Sequence, residues 1–238
     1  MSGFLKTIFL LVITFLIALA GSHNVINTNN IPITLVCFII TFLIHYIVFI
    51  PSFIFKTERF FDITGSITFL SVISYIFYNR NLEDLNYSGM ILLIFIGLWT
   101  LRLGLFLFYR VIKDGKDKRF DELKTNFLKF MTVWTMSGAW VFITASPAIA
   151  ALSSNKINDN LIFIIVGSLL WGLGFIIEVI SDRQKRKFKK KNNDGYITSG
   201  LWAYSRHPNY VGEIMLWTGI AIISFPTLAG LQLITLVS

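Results

Sequence analysis

Near the end of the chain, SRHPNYVGE (205–213) gathers Arg206, His207, Asn209, Tyr210 and Glu213 around the start of one helix. Pro208 suits the first helical turn, where its missing N–H would be unpaired anyway. Counting from Asn209, positions i+4 and i+8 share a face, so Asn209, Glu213 and Trp217 line one side. Gly212 flanks that side and permits close approach of a ligand or a backbone. A helix N-terminus favours anions, and Arg206 adds a two-pronged phosphate donor. A carboxylate one turn deeper accepts from an amide or a ribose hydroxyl. A helix cap with an interfacial aromatic belt explains Pro208, Tyr210 and Trp217, but not Asn209 and Glu213.

Other ionisable groups sit where apolar solvent is expected. Arg102 lies in LWTLRLGLFLFYR (98–110), Glu178 in FIIEVISD (175–182), and Asp62 opens a third apolar run. Charge inside a span is costly and normally faces a partner or a polar cavity. Snorkelling and interhelical ion pairing explain any one of them. With Glu213, four groups at similar depth predict a polar cavity open to one side of the membrane. His45, alone in its apolar run, reads as a hydrogen-bonded packing residue. Three histidines and one cysteine, Cys37, share no helix face at ligand spacing, so no metal site is expected. No serine elbow and no G-x-G-x-x-G after a strand occurs. The small residues of GSLLWGLG (167–174) are spaced for helix contact.

The elements that position these groups are membrane helices. The chain has 238 residues, 55% hydrophobic and 14% charged, with mean hydropathy +0.68. Seven apolar runs, roughly 4–20, 31–55, 61–78, 88–109, 127–152, 160–180 and 209–236, are long enough to cross a hydrocarbon core of about 30 Å. They do not alternate, which excludes an outer-membrane barrel. The fold class is all-α, a polytopic bundle of about seven transmembrane helices forming a single domain over 1–238. Of the 21 lysines and arginines, all but Arg80, Arg102 and Lys156 fall in the N-terminal segment and the even-numbered connections. The positive-inside rule therefore puts the N-terminus and those connections in the cytosol and the C-terminus opposite. The net charge of +8 follows from this topology. DRQKRKFKKK (182–191) is expected to be a loop touching anionic lipid headgroups, with docking of a polyanionic cofactor as the alternative and no nucleic acid involved. KTIFLLVITFLIALAGS (6–22) has signal-peptide features, and a retained first helix is expected.

Taken with the preceding Leu201-Trp202, SRHPNYVGE resembles the C-terminal domain of the steroid 5α-reductase family, in particular its uncharacterised branch. FFDITGSITFL (60–70), LWTLRLGLFLFYR (98–110), KDGKDKRFDELK (113–124) and IEVISDRQKRKF (177–188) fit the same group over roughly residues 30–238. Relatives continue past this end with another short apolar segment, so a short member or a fragment is expected. The resemblance implies a seven-helix fold with NADPH in the cytosolic half. Asn209, Gly212 and Glu213 would match the element that holds the nicotinamide end, and Asp182 the acid after the sixth helix. Arg183, Arg186 and Lys189 would approach the phosphates, with Arg102, Arg206, His207, Tyr210 and Glu178 around the cofactor. Phe49 and Trp99 stand where steroid reductases carry the groups that hold the substrate carbonyl. Asp62, Glu58, Tyr109 and Tyr204 are the candidate proton donors in their place.

Three functions follow. The first is an NADPH-dependent membrane reductase of an apolar lipid, steroid-like or another enone, acting on a carbon–carbon double bond conjugated to a carbonyl. The second is an S-adenosylmethionine-dependent membrane methyltransferase of the isoprenylcysteine or phospholipid type, which carries a similar Arg-His-Pro-x-Tyr element. The third is a non-enzymatic lipid-binding member.

Overall fold

The computed structural model describes residues 3–80, 85–114, 117–191 and 195–237. Among them seven helices are long and apolar enough to cross a membrane, and the chain is an integral, multi-pass all-α protein. They are α1 (Gly3–Gly21), α2 (Ile33–Ile54), α3 (Phe61–Tyr78), α4 (Tyr87–Asp114), α5 (Phe127–Ser153), α6 (Leu161–Lys191) and α7 (Pro208–Ser224). A two-stranded ribbon, β1 (Asn27–Thr28) with β2 (Ile31–Pro32), links α1 to α2. The helices fall into two compact units, Met1–Asn158 with Thr227–Ser238, and Asp159–Pro226.

In the first unit α5 is the hub, packing on α1, α2 and α3. Of its membrane window 72% is buried, against 28–39% for α1 to α4. Its sequence explains this: Gly138, Ala139, Ala145, Ser146, Ala148, Ala150 and Ala151 are buried and let neighbouring helices close. At one end Phe49, Phe120, Phe130 and Trp134 form an aromatic core cluster. His45 is fully buried; Nδ1 lies 2.8 Å from the Thr41 carbonyl and Nε2 3.2 Å from Ser137 Oγ. It packs as a hydrogen-bonded residue, as its sequence context predicted.

At the other end Arg80 is buried and donates from one guanidinium nitrogen to the carbonyls of Leu152 (2.5 Å) and Ser154 (2.8 Å). It neutralises the buried carbonyl end of α5, where cations are favoured. Arg80→Met leaves those acceptors without their charged donor, and a loss of about 3 kcal/mol is expected. Thermal melting in detergent checks this, with no change expected only if water replaces the donor fully.

Two boundaries differ from the hydropathy pattern. The basic stretch after the sixth span is not loop: α6 runs on to Lys191. Arg, Gln and Lys are good helix formers, and no Gly or Pro interrupts them. The seventh helix ends at Ser224, not near 236. Pro226 offers no N–H to continue it, and residues 230–237 form a separate 3₁₀ segment beginning at Gly230, φ +56°. That segment belongs to the first unit, where the Thr235 carbonyl accepts from Ser146 Oγ and Gln232 donates to Ser154 Oγ.

Candidate functional site

The second unit is a hairpin of α6 and α7 held in backbone contact by four glycines. Gly167 and Gly174 on α6, and Gly212 and Gly219 on α7, are each seven residues apart, two turns, so each pair shares a face. A Cβ on Gly212 would stand 2.6 Å from the Gly174 carbonyl oxygen and 2.7 Å from the Glu178 nitrogen. One on Gly219 would stand 2.5 Å from the Gly167 oxygen. Of the two occupants its sequence context left open, Gly212 faces the α6 backbone.

This contact fixes what lies beside it. Glu178 is level with Gly212, and the antiparallel register of the hairpin brings Asp182, one turn on, level with Pro208. Glu178, Ser181 and Asp182 are buried despite their polarity, at 3%, 0% and 8% exposure. Pro208 is the first residue of α7, so the helix N-terminus opens beside these carboxylates. Asn209 Oδ1 is sealed from solvent and accepts no hydrogen bond. Glu213 is half-buried one turn deeper. His207, outside the helix, stacks on Tyr210 with ring centres 5.3 Å apart. Arg206, His207 and Tyr210 are exposed, as is Arg186 on the polar extension of α6. Tyr204 is 92% exposed.

The link between the two helices is made by residues outside the candidate set. Gly200 (φ +65°) presses against the Gln184 side chain, and the Leu201 amide donates to Gln184 Oε1 at 3.0 Å. Trp202 Nε1 donates to the Ser181 carbonyl at 3.1 Å, and Lys185 Nζ lies 5.1 Å from the Trp202 ring centre. A glycine before Leu-Trp was the available signal; its partner was hidden in a basic run.

Arg183 and Lys189 are exposed on the same extension of α6, and Arg102, Asp62, Tyr109, Phe49, Trp99 and Glu58 belong to the first unit. Arg102 is half-buried on α4, its guanidinium 5.4 Å from the Phe106 ring centre. Asp62, half-buried, sits in the first turn of α3, where an anion is favoured. Tyr109 is exposed. Phe49 packs among Phe53, Phe127, Phe130 and Trp134, and Trp99 against Phe69 and Trp140, so aromatic clusters occupy both positions.

Glu58 is buried between α2 and α3 and ties them to the segment before α5. It accepts from the Asp117 amide at 2.9 Å and pairs with Lys124 at 3.0 Å. Burial pushes its carboxyl up, but the Asp117 amide and the Lys124 ammonium outweigh this, and its pKa lies below the ordinary 4.5. Its stabilising contribution is therefore complete above the unfolded-state pKa and lost as pH falls through the lower folded value. Acid titration of the melting temperature should show this loss, and Glu58→Gln should flatten it.

A family model described as a protein of unknown function (DUF1295) matches residues 48–238, four-fifths of the chain. The chain belongs to this family. Over 63 residues, 26% of its length, this DUF1295 chain is also similar to three curated proteins named 3-oxo-5-alpha-steroid 4-dehydrogenase 1. It is 36% identical to the Bos taurus protein, 38% to that of Homo sapiens and 35% to that of Mus musculus. The aligned stretch spans about a quarter of each relative's own length. No solved structure matches the DUF1295 chain.

Proposed function

We propose that this protein is a membrane-embedded, NADPH-dependent reductase of an apolar lipid that carries a carbon–carbon double bond conjugated to a carbonyl. The observation that carries the cofactor reading is Asn209 Oδ1, a sealed acceptor with no partner, at a helix N-terminus beside buried Glu178 and Asp182. An unpaired buried acceptor is expensive, about 1–3 kcal/mol, and an incoming N–H or hydroxyl relieves it. The residues fit a dinucleotide. Asn209 accepts from a carboxamide or hydroxyl, and Glu213 and Asp182 accept hydroxyl or amide protons. Glu178 is buried against Gly212 beneath them. Arg206, His207 and Arg186 would face the phosphates, and Tyr210 supports the His207 ring. NADPH, when bound, supplies a hydride.

Hydride delivered to the carbon β to the carbonyl pushes the double-bond electrons onto the carbonyl oxygen, and a proton then closes the α carbon. A hydrogen-bond donor stabilises the developing oxyanion. Of the candidate proton donors, Tyr204 lies in the same unit as α7. Glu58, ion-paired and ionised at neutral pH, is the weakest of the four first considered. The named relatives support the substrate class: a 4-dehydrogenase of a 3-oxo-steroid, run in reverse, reduces such a conjugated bond. The basic connections support a cytosolic cofactor end by the positive-inside rule, with the substrate entering from lipid.

Calorimetric titration of the detergent-purified protein with NADPH, NADH and S-adenosylmethionine tests the reading. Tight NADPH binding supports it, and an enone lipid screen follows. Preference for S-adenosylmethionine overturns it in favour of methyl transfer.

A further inference from the structure

The α6 extension beyond the membrane-length apolar run stays helical to Lys191. Its inner residues are tied to the segment that leads into α7. Four features converge there. Leu201 N–H is held by Gln184 Oε1 at 3.0 Å, and Gly200, in the left-handed region, lets the backbone lie directly on the Gln184 amide. Trp202 is held from the edge by the Ser181 carbonyl and from the face by Lys185. Past Trp202 the chain is bound locally: the amides of Tyr204 and Ser205 donate to the Leu201 carbonyl, and Ser205 Oγ accepts from the His207 amide. The His207 carbonyl then accepts from Tyr210 and Val211, starting α7. The path from Gln184 to the first turn of α7 is thus one run of short-range hydrogen bonds, with Leu201 as the residue bonded at both ends.

We infer that Gln184 is a positioning residue: by holding Leu201 it sets where Arg206, His207 and Asn209 stand at the start of α7. This rests on the reading of that helix start as the cofactor site. A side chain of another length at 184 leaves the glycine turn unsupported. A carboxylate of the same length keeps the acceptor for Leu201 N–H, so Gln184→Glu retains the clamp and Gln184→Ala loses it. Neither residue needs to touch the ligand.

The experiment uses the full-length protein in detergent and three measurements on wild type, Gln184→Ala and Gln184→Glu. Hydrogen–deuterium exchange of the peptide containing Leu201 reads the clamp without any ligand. Titration with NADPH, and in parallel with S-adenosylmethionine, reads the site. Melting temperature reads the fold. Gln184→Ala is expected to exchange faster at Leu201 and to bind the wild type's preferred cofactor about tenfold more weakly, a change of about 1.4 kcal/mol. Its melting temperature should stay near that of wild type, and Gln184→Glu should restore both other readouts. Faster exchange with unchanged affinity overturns the positioning role, as does unchanged exchange. Weak binding in both variants with a lowered melting temperature also overturns it, because the effect is then structural. If wild type prefers S-adenosylmethionine, the reductase reading fails, while the same comparison on that ligand still decides the role of Gln184. If wild type binds neither, both fall.

Discussion

Glu213→Gln is expected to weaken NADPH binding about 100-fold, a loss near 2.7 kcal/mol, within the range for hydrogen bonds to charged groups. The substitution keeps the shape of the side chain and removes the charge. Glu213 stands one turn into α7 on the face that begins with Asn209 and is half-buried. Glutamine there packs as well as glutamate, so the melting temperature in detergent should hold within a few degrees. Calorimetry gives the decisive comparison. Wild-type affinity in the variant means Glu213 does not meet the cofactor. A collapsed melting temperature means its role is structural instead.

The second large effect is on the hairpin itself. Gly212→Ala is expected to cost more than about 3 kcal/mol, the upper end of ordinary overpacking. The reason is what the new Cβ meets: the Gly174 carbonyl oxygen and the Glu178 nitrogen, both backbone, at 2.6 and 2.7 Å. Backbone of a helix cannot swing aside as a side-chain end can. Separating α6 from α7 also moves Glu178 and Asp182 away from the start of α7, so cofactor binding should fall with stability. Gly172→Ala is the matched control. Nothing lies within 4 Å of a Cβ at that position, and alanine in a helix interior is favoured over glycine by about 1 kcal/mol. The control should melt at or slightly above the wild-type temperature. Equal melting of Gly212→Ala and wild type would sink the close-contact account.

The two glycine variants also mark where sequence reasoning stops. Residues 167–174 contain three glycines, and all look alike in the string. Two meet α7, and Gly172 meets nothing, because a helix face is defined only once its partner is placed.

What the amino-acid sequence determined by itself was the membrane class, the existence of seven helices and the candidate face of α7. The first two follow from apolar runs that match the thickness of a bilayer. The third follows from the four-residue period that aligns Asn209 with Glu213. Tertiary structure decided the rest. Hydropathy ends where the solvent changes, whereas the helix ends where backbone hydrogen bonding stops. Hence α6 outlasts its apolar run by about three turns of Arg, Gln and Lys, and α7 stops inside one, before Pro226. Glu58 reads as a possible acid from its type alone, but its partners Asp117 and Lys124 lie 59 and 66 residues away, a distance at which no local pattern reports. The same holds for Gln184 and Leu201. The polar side chain that fixes the entry to α7 sits in a run of lysines and arginines with no period of its own, and only the folded hairpin brings the two together.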